Sequence, residues 1–256
     1  MRTAARLTFE EAYERLEMSD TTLNRIERGT TGVGVHTVKS MLDLYGVGAQ
    51  EWEPILALVR EANRKGWWAA YGLTNKSYVA METAASEIRS FDLGYIHGLL
   101  QTEEYMKAIA AGSLRTEQTR HTMAIRRIRQ QRLFSGHDRL RLRVVVDESA
   151  LRRLVGGREV MRGQLLHLLD ATSLAEIQIL PAEVGGHVGL HGSFAVLDFP
   201  EPDEPSVGYF EHVLRATFIN RMADVQRCTL AWEHLRSQAL SARESQGLLK
   251  RILGEL

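Results

Sequence analysis

Two closely spaced helix starts within residues 8–29 limit what this part of the chain can form. Thr8 and Glu11 have the spacing of a capping box, in which each side chain accepts a hydrogen bond from the other residue's backbone amide. Ser19 can cap the start of a second helix, and Gly29 can end it. Because few residues separate the two, the pattern predicts a pair of short helices joined by a tight turn.

The second of these helices has one apolar side and one polar side. The apolar residues in and just before it predict a buried set made of Leu16, Met18, Leu23 and Ile26. Asparagine and arginine bind base edges through paired hydrogen bonds, and threonine packs against a thymine methyl. A helix anchored on its apolar side can carry such side chains into the major groove. We therefore predict that double-stranded DNA is bound by Ser19, Asp20, Thr21, Thr22, Asn24, Arg25 and Arg28.

The segment LTFEEAYERLEMSDTTLNRIERG resembles the Xre/Cro-type helix-turn-helix, including its R-I-E-x-G ending at residues 25–29. The resemblance implies a sequence-specific DNA-binding domain at residues 1–65. Three features depart from that pattern. Only six residues precede Leu7, which implies a truncated first helix; Tyr13 replaces a small residue where the helices cross; and Glu17 replaces the glycine of the turn. The alternative is therefore an antitoxin-like protein-interaction module with a degraded DNA reader.

The net charge of the chain does not by itself favour nucleic-acid binding. The whole chain has a net charge of zero. Residues 1–72 carry nine basic and ten acidic side chains, a net −1, whereas residues 115–158 carry twelve arginines and four acids, a net +8. A weakly acidic reader gains little affinity from phosphates, and dimerisation would compensate by joining two half-sites.

Beyond residue 76 the hydrophobic pattern predicts an α+β domain. We predict helices at about 77–90, 102–112, 116–135, 158–172 and 220–252, and strands at 140–146, 176–180, 193–199 and 207–212. The strand at 193–199 is apolar on both faces, which predicts a central position in a small sheet of about four to five strands. The predicted organisation is an all-α domain at 1–65, an aromatic junction at 66–76 and the α+β domain at 77–256.

The second domain also carries motifs of a known family. It resembles the DUF5753 domain of actinobacterial (Streptomyces-type) regulators, which follows an Xre-type module. The matching residues are Gly66-Trp67-Trp68, Gly98-Leu99-Leu100-Gln101-Thr102 with Tyr105, Arg129-Gln130-Gln131-Arg132-Leu133, 145–151, Gly185-Gly186-His187, Gly192-Ser193-Phe194, and Tyr209 with Glu211. We predict a homodimeric transcription regulator whose second domain senses a small molecule or a small protein, and the resemblance implies a DUF397-type protein as one such partner.

Four arginines of this domain form two predicted pairs. Arg126 and Arg129 are one helical turn apart, and Arg141 and Arg143 share one face of a strand. Either pair can receive an anionic effector, an acidic protein or flanking DNA phosphate. The alternative is a solvated face that acids elsewhere in the fold balance.

His187 and His191, with Glu211, imitate a two-histidine, one-carboxylate metal site. The sequence Gly-Gly-His-Val-Gly-Leu-His-Gly predicts a loop, however, so the spacing does not place both imidazoles on one helix face. We expect no metal and no cofactor, and keep four candidate effector or partner contacts, which are His187, His191, Tyr209 and Glu211.

Other function classes find little support. The chain has no P-loop, dinucleotide fingerprint, nucleophile elbow or HExxH motif, so we do not expect an enzyme, and an enzyme with a vestigial reader is a third option. A single cysteine, Cys228, excludes internal disulfides. No segment is apolar enough for an export signal or a membrane span, so we expect a cytoplasmic protein with no membrane partner.

Overall fold

The computed structural model describes residues 1–29, 31–63, 66–74, 77–112, 119–134, 139–201, 203–212 and 215–256. The chain divides into two compact units, Met1–Ala70 and Tyr71–Leu256. A short 3-10 helix, Trp67–Tyr71, spans the division. No helix of the described residues is both long enough and apolar enough to cross a membrane.

The first unit is helical, as predicted. Residues 1–7 form a turn, in which the backbone amide of Ala5 donates to the carbonyl of Met1 (3.0 Å). Thr8 and Glu11 form the predicted capping box. Two small apolar clusters hold the unit together, one around Leu23 and one around Leu42. The helices are α1 Phe9–Arg15, α2 Asp20–Glu27, α3 Val35–Leu44 and α4 Ala49–Ala62.

The turn between α1 and α2 places a non-glycine residue in the left-handed region. Glu17 has a φ of +51°, the conformation that glycine adopts most readily. The backbone therefore has the shape of the glycine turn of the resembled motif, but it is made by a residue with a side chain.

Replacing Glu17 by glycine should therefore stabilise the first unit by about 0.5 kcal/mol. The left-handed conformation costs a side-chain-bearing residue about 1–2 kcal/mol, and the greater freedom of glycine in the unfolded chain offsets part of the gain. Urea unfolding of the full chain, monitored by hydrogen exchange of the α2 amides, measures the change in the free energy of unfolding. Glu14→Gly, at an exposed site inside α1, is the control and should destabilise instead. Equal destabilisation by both substitutions would contradict the argument.

The second unit is α+β, as predicted. Its helices are α5 Tyr78–Ala84, α6 Glu103–Ala111, α7 Thr119–Gln131, α8 Glu148–Arg152, α9 Arg158–Ala171, α10 Met222–Gln238 and α11 Ala242–Glu255. Its strands are β1 Glu87–Asp92, β2 Arg141–Asp147, β3 Glu176–Leu180, β4 Phe194–Asp198, β5 Val207–Glu211 and β6 Ala216–Ile219. Short 3-10 turns occur at Gly98–Leu100, Ala182–Val184 and Val188–His191.

The strands form one mixed sheet in the order β3-β2-β1-β4-β5-β6. β1, β2 and β3 are parallel, and β4, β5 and β6 follow in antiparallel pairs. The larger core cluster lies on one face and includes Leu165 of α9 and Leu249 of α11. The smaller cluster lies on the other face around Trp232 of α10. The central position predicted for the strand at 193–199 is confirmed, because β4 pairs on both sides.

Two predicted helices were wrong in extent. The helix predicted at 77–90 ends at Ala84, and β1 follows, because the backbone amide of Ser86 donates to the carbonyl of Asp198 (2.8 Å) and begins the pairing with β4. The helix predicted at 220–252 is two helices. Ser241 caps a new one, and the amide of Leu240 donates to the carbonyl of Ile179 (2.9 Å) at the edge of β3. Neither β1 nor β6 was among the four predicted strands, so the sheet has six strands instead of about four to five.

Most of the large apolar residues of the last two helices pack inside the second unit. Leu235, Leu248, Leu249 and Ile252 are buried in the two cores, so these four pack within the unit. Leu230 differs from them, because it is 70% exposed.

Candidate nucleic-acid interface and effector-binding residues

One leucine anchors α2 in the first unit. Leu23 is fully buried, and it shares a cluster with Ala12 of α1 and Tyr45. Ser19 begins the helix as predicted, since its hydroxyl accepts a hydrogen bond from the backbone amide of Thr22 (3.2 Å). The helix is thus held on one side, which leaves its opposite side to face solvent.

All seven residues predicted to bind DNA are exposed. Within the first turn, the hydroxyls of Ser19 and Thr22 share a hydrogen bond of 2.8 Å, and the hydroxyl of Thr21 donates to the carboxylate of Asp20 (3.1 Å). Asn24, Arg25 and Arg28 lie along the remainder of the helix. All seven are therefore accessible along α2 and at its two ends.

An ion pair that the sequence analysis missed holds the other end of α2. The guanidinium of Arg2 contacts both carboxylate oxygens of Glu27, at 2.7 and 3.1 Å, and donates to the carbonyl of Leu7 at 3.0 Å. The hydrogen bond to Glu27 raises the pKa of Arg2. The glutamate of the R-I-E-x-G ending was the available signal, because a carboxylate at the negative end of a helix dipole is unfavourable unless a cation neutralises it.

In the second unit, Arg129 is part of a buried polar cluster. Its guanidinium contacts both carboxylate oxygens of Glu82, each at 2.6 Å, and lies 5.4 Å from the centre of the Tyr78 ring. The rings of Tyr78 and Tyr209 are 4.3 Å apart. Burial would lower the pKa of Arg129, but the charge of Glu82 and its hydrogen bonds raise it well above its usual value. Arg129 and Tyr209 therefore belong to one site.

Arg126 and Glu211 lie beside this cluster. Arg126 donates a hydrogen bond to the side-chain oxygen of Gln101. Glu211 is exposed at the end of β5, and its charge acts on both Arg126 and Tyr209. Burial, and then the charge of Glu211, raise the pKa of Tyr209.

The second arginine pair is separate from this cluster and is largely balanced by acids. Arg143 contacts Glu176 at 2.9 Å and Glu87 at 3.4 Å, and its guanidinium lies 4.7 Å from the Trp232 ring on the α10 face of the sheet. Arg141 is 66% exposed and contacts Glu87 at 3.4 Å. With Arg139, the pair lines an open cavity of about 490 Å³.

His187 and His191 do not share a site. Nε2 of His187 lies 3.3 Å from a carboxylate oxygen of Asp147, and its ring meets Phe91 edge-on; its Nδ1 is buried without a hydrogen-bond partner among the described residues. His191 is exposed. A Cβ at Gly189 would lie 2.3 Å from the Phe91 ring, which explains the glycine in this loop. In the part of the chain that the structure describes, no three His, Cys, Asp or Glu side chains are grouped to hold a metal ion.

In comparisons with known proteins, a different family model matches each of the two parts of the chain. A family model described as a domain of unknown function (DUF5753) matches residues 76–251. A model described as a helix-turn-helix domain matches residues 1–54. No curated protein and no solved structure is significantly similar to the chain.

Proposed function

Because the chain belongs to the DUF5753 family and joins that domain to an amino-terminal helix-turn-helix domain, we propose that it is a sequence-specific transcriptional regulator of the Xre/Cro type. The observation that carries the proposal is the two-sided α2, which is anchored by buried Leu23 and exposes seven polar side chains. A helix of this kind, second in a helix-turn-helix, is the element that enters the major groove.

Within the groove, different residues of α2 have different roles. Asn24 and Arg25 can each make paired hydrogen bonds, to adenine and to guanine respectively, while Asp20 can accept from the amino group of cytosine. Thr21 and Thr22, near the positive end of the helix dipole, suit a backbone phosphate or a thymine methyl. Arg28, at the end of the helix, suits a phosphate.

A homodimer is part of the proposal. The first unit carries nine basic and ten acidic side chains, so phosphate contacts alone give it little affinity for DNA. Two readers joined through their second units would bind two half-sites, and the second contact would then form at a high effective concentration. We assign sensing of a small molecule or a small DUF397-type protein to the same unit.

The test is a mobility shift of the full chain on the DNA upstream of its own gene. Asn24→Ala and Arg25→Ala should each weaken binding by about 1–3 kcal/mol, the usual contribution of a paired contact to a base. Arg60→Ala removes an equal charge from α4, where Arg60 contacts Glu53 at 2.5 Å, and should leave binding unchanged. Binding of the natural chain should weaken as salt is raised, as counterion release requires.

Two outcomes would overturn the proposal. The first is the absence of a shift at every salt concentration. The second is equal binding by the natural chain and by both α2 variants, because a helix that reads bases cannot lose those side chains without cost.

An interaction protein with a degraded DNA reader is the second candidate. It is favoured by the net negative charge of the first unit and by Glu17 in the turn. Co-purification of one small acidic protein, together with no mobility shift, would support it. The absence of catalytic motifs from the sequence supports a non-enzymatic role, and turnover of a metabolite bound to the second unit would contradict that role.

A further inference from the structure

Two neighbouring arginines of α7 differ in how their charges are balanced. Arg129 is only 11% exposed and forms a two-point ion pair with Glu82, which is 2% exposed. Its charge is therefore matched within the fold. Arg126 lies one turn earlier on the same helix, on the side that faces Gln101.

Among the described residues, Arg126 has no such match. It is partly buried, and its one hydrogen bond to a described residue is to the neutral side-chain oxygen of Gln101. No described carboxylate lies within ion-pair distance of it; Glu211 and Glu82 act on it only from farther away. Burial, followed by the adjacent positive charge of Arg129, lowers the pKa of Arg126. An unmatched charge in such a place destabilises a fold until a counter-ion binds.

The surroundings hold Arg126 in a fixed place. The side-chain amide of Gln101 donates to the carbonyl of Ile96 (2.6 Å), so its oxygen is directed at Arg126. Gln130, on the next turn of α7, donates to the carbonyl of Gln101 (2.7 Å) and so ties the two segments together. A guanidinium has five N–H donors in a rigid plane, and this frame uses one side of it.

We propose that Arg126 is the anchor of a ligand site that binds the carboxylate of a small organic acid. A carboxylate is planar and accepts two parallel hydrogen bonds from a guanidinium, and it carries only one negative charge. A phosphate dianion would fit less well, because it would bring a second negative charge near Glu211 and Glu82, whose charges already act on Arg126. The inference names a ligand class for the sensing role proposed above.

The first test measures binding without DNA. Thermal unfolding of the full chain is followed with sodium acetate, benzoate, phosphate and chloride at equal ionic strength. We expect acetate or benzoate to raise the midpoint of the natural chain and of Arg127→Met, but not of Arg126→Met. Arg127 is a matched control, since it is the adjacent arginine, is 68% exposed and is paired with Glu103. Stabilisation by phosphate alone, or carboxylate stabilisation that survives in Arg126→Met, would overturn the proposal.

The second test uses the apo protein, so it holds whichever acid is the natural ligand. Without any organic anion, Arg126→Met should raise the unfolding midpoint by about 2–4 °C, because it replaces an unmatched charge by an apolar chain of similar length. A purely structural arginine would give a lower midpoint, and that result would sink the proposal. Neither measurement depends on operator binding, so failure here is distinguishable from failure of the mobility shift.

Discussion

Glu82→Gln is expected to destabilise the second unit by about 3–5 kcal/mol, because it removes the negative charge that balances buried Arg129. The guanidinium is 11% exposed and cannot recover its loss by turning to water. Its other close neighbour is the face of the Tyr78 ring, which attracts a cation much more weakly than a carboxylate does. Urea unfolding of the full chain, monitored by hydrogen exchange of the β1 amides, reports the stability of this unit.

Two comparisons make this prediction specific. Glu103→Gln removes a carboxylate that pairs with Lys107 and Arg127 on the surface, and should have little effect, since exposed ion pairs contribute little. The double variant Glu82→Leu with Arg129→Met removes both charges and should recover most of the lost stability. If Glu82→Gln were as mild as Glu103→Gln, the buried pair would not have the role that its geometry indicates.

Leu23→Ala should unfold the first unit and abolish DNA binding while the sheet of the second unit persists. Deletion of a fully buried leucine side chain costs about 2–5 kcal/mol, and a helical unit of this size has little stability beyond that. Hydrogen exchange resolves the two units: the amides of α1 and α2 should lose protection, and those of β1 and β2 should keep it.

Leu58→Ala is the matched control for this prediction. Leu58 belongs to the same unit but is 72% exposed, so the same deletion removes almost no buried contact. It should leave both the exchange pattern and the mobility shift as they are in the natural chain. Retained DNA binding by Leu23→Ala would mean that α2 does not depend on its buried side for its position.

The sequence predicted best what depends on near neighbours in the chain. The caps at Thr8, Ser19 and Thr102 are hydrogen bonds between residues a few positions apart, so they can be recognised from spacing alone. β1 was missed because Tyr78–Ala84 is helical and the sequence after it contains no strong signal for the end of a helix. Their strand conformation comes from pairing with β2 and β4, more than 50 positions away.

The candidate site divides in the same way. Spacing placed Arg126 and Arg129 on one helix, but it could not show that Glu82, 47 positions earlier, would reach only one of them. Nor could it show that Nε2 of His187 would lie beside the carboxylate of Asp147. Such differences are set by tertiary packing, which brings distant segments together without leaving a local pattern in the sequence.

The contact between Arg2 and Glu27 has a consequence for attempts to transfer operator preference between related proteins. A graft of α2 alone would carry the side chains proposed to contact bases, but not Arg2, which contacts Glu27 at the far end of that helix. The same side chains would then approach the bases with the helix at a different tilt. Position 2 should therefore accompany α2 in any such exchange.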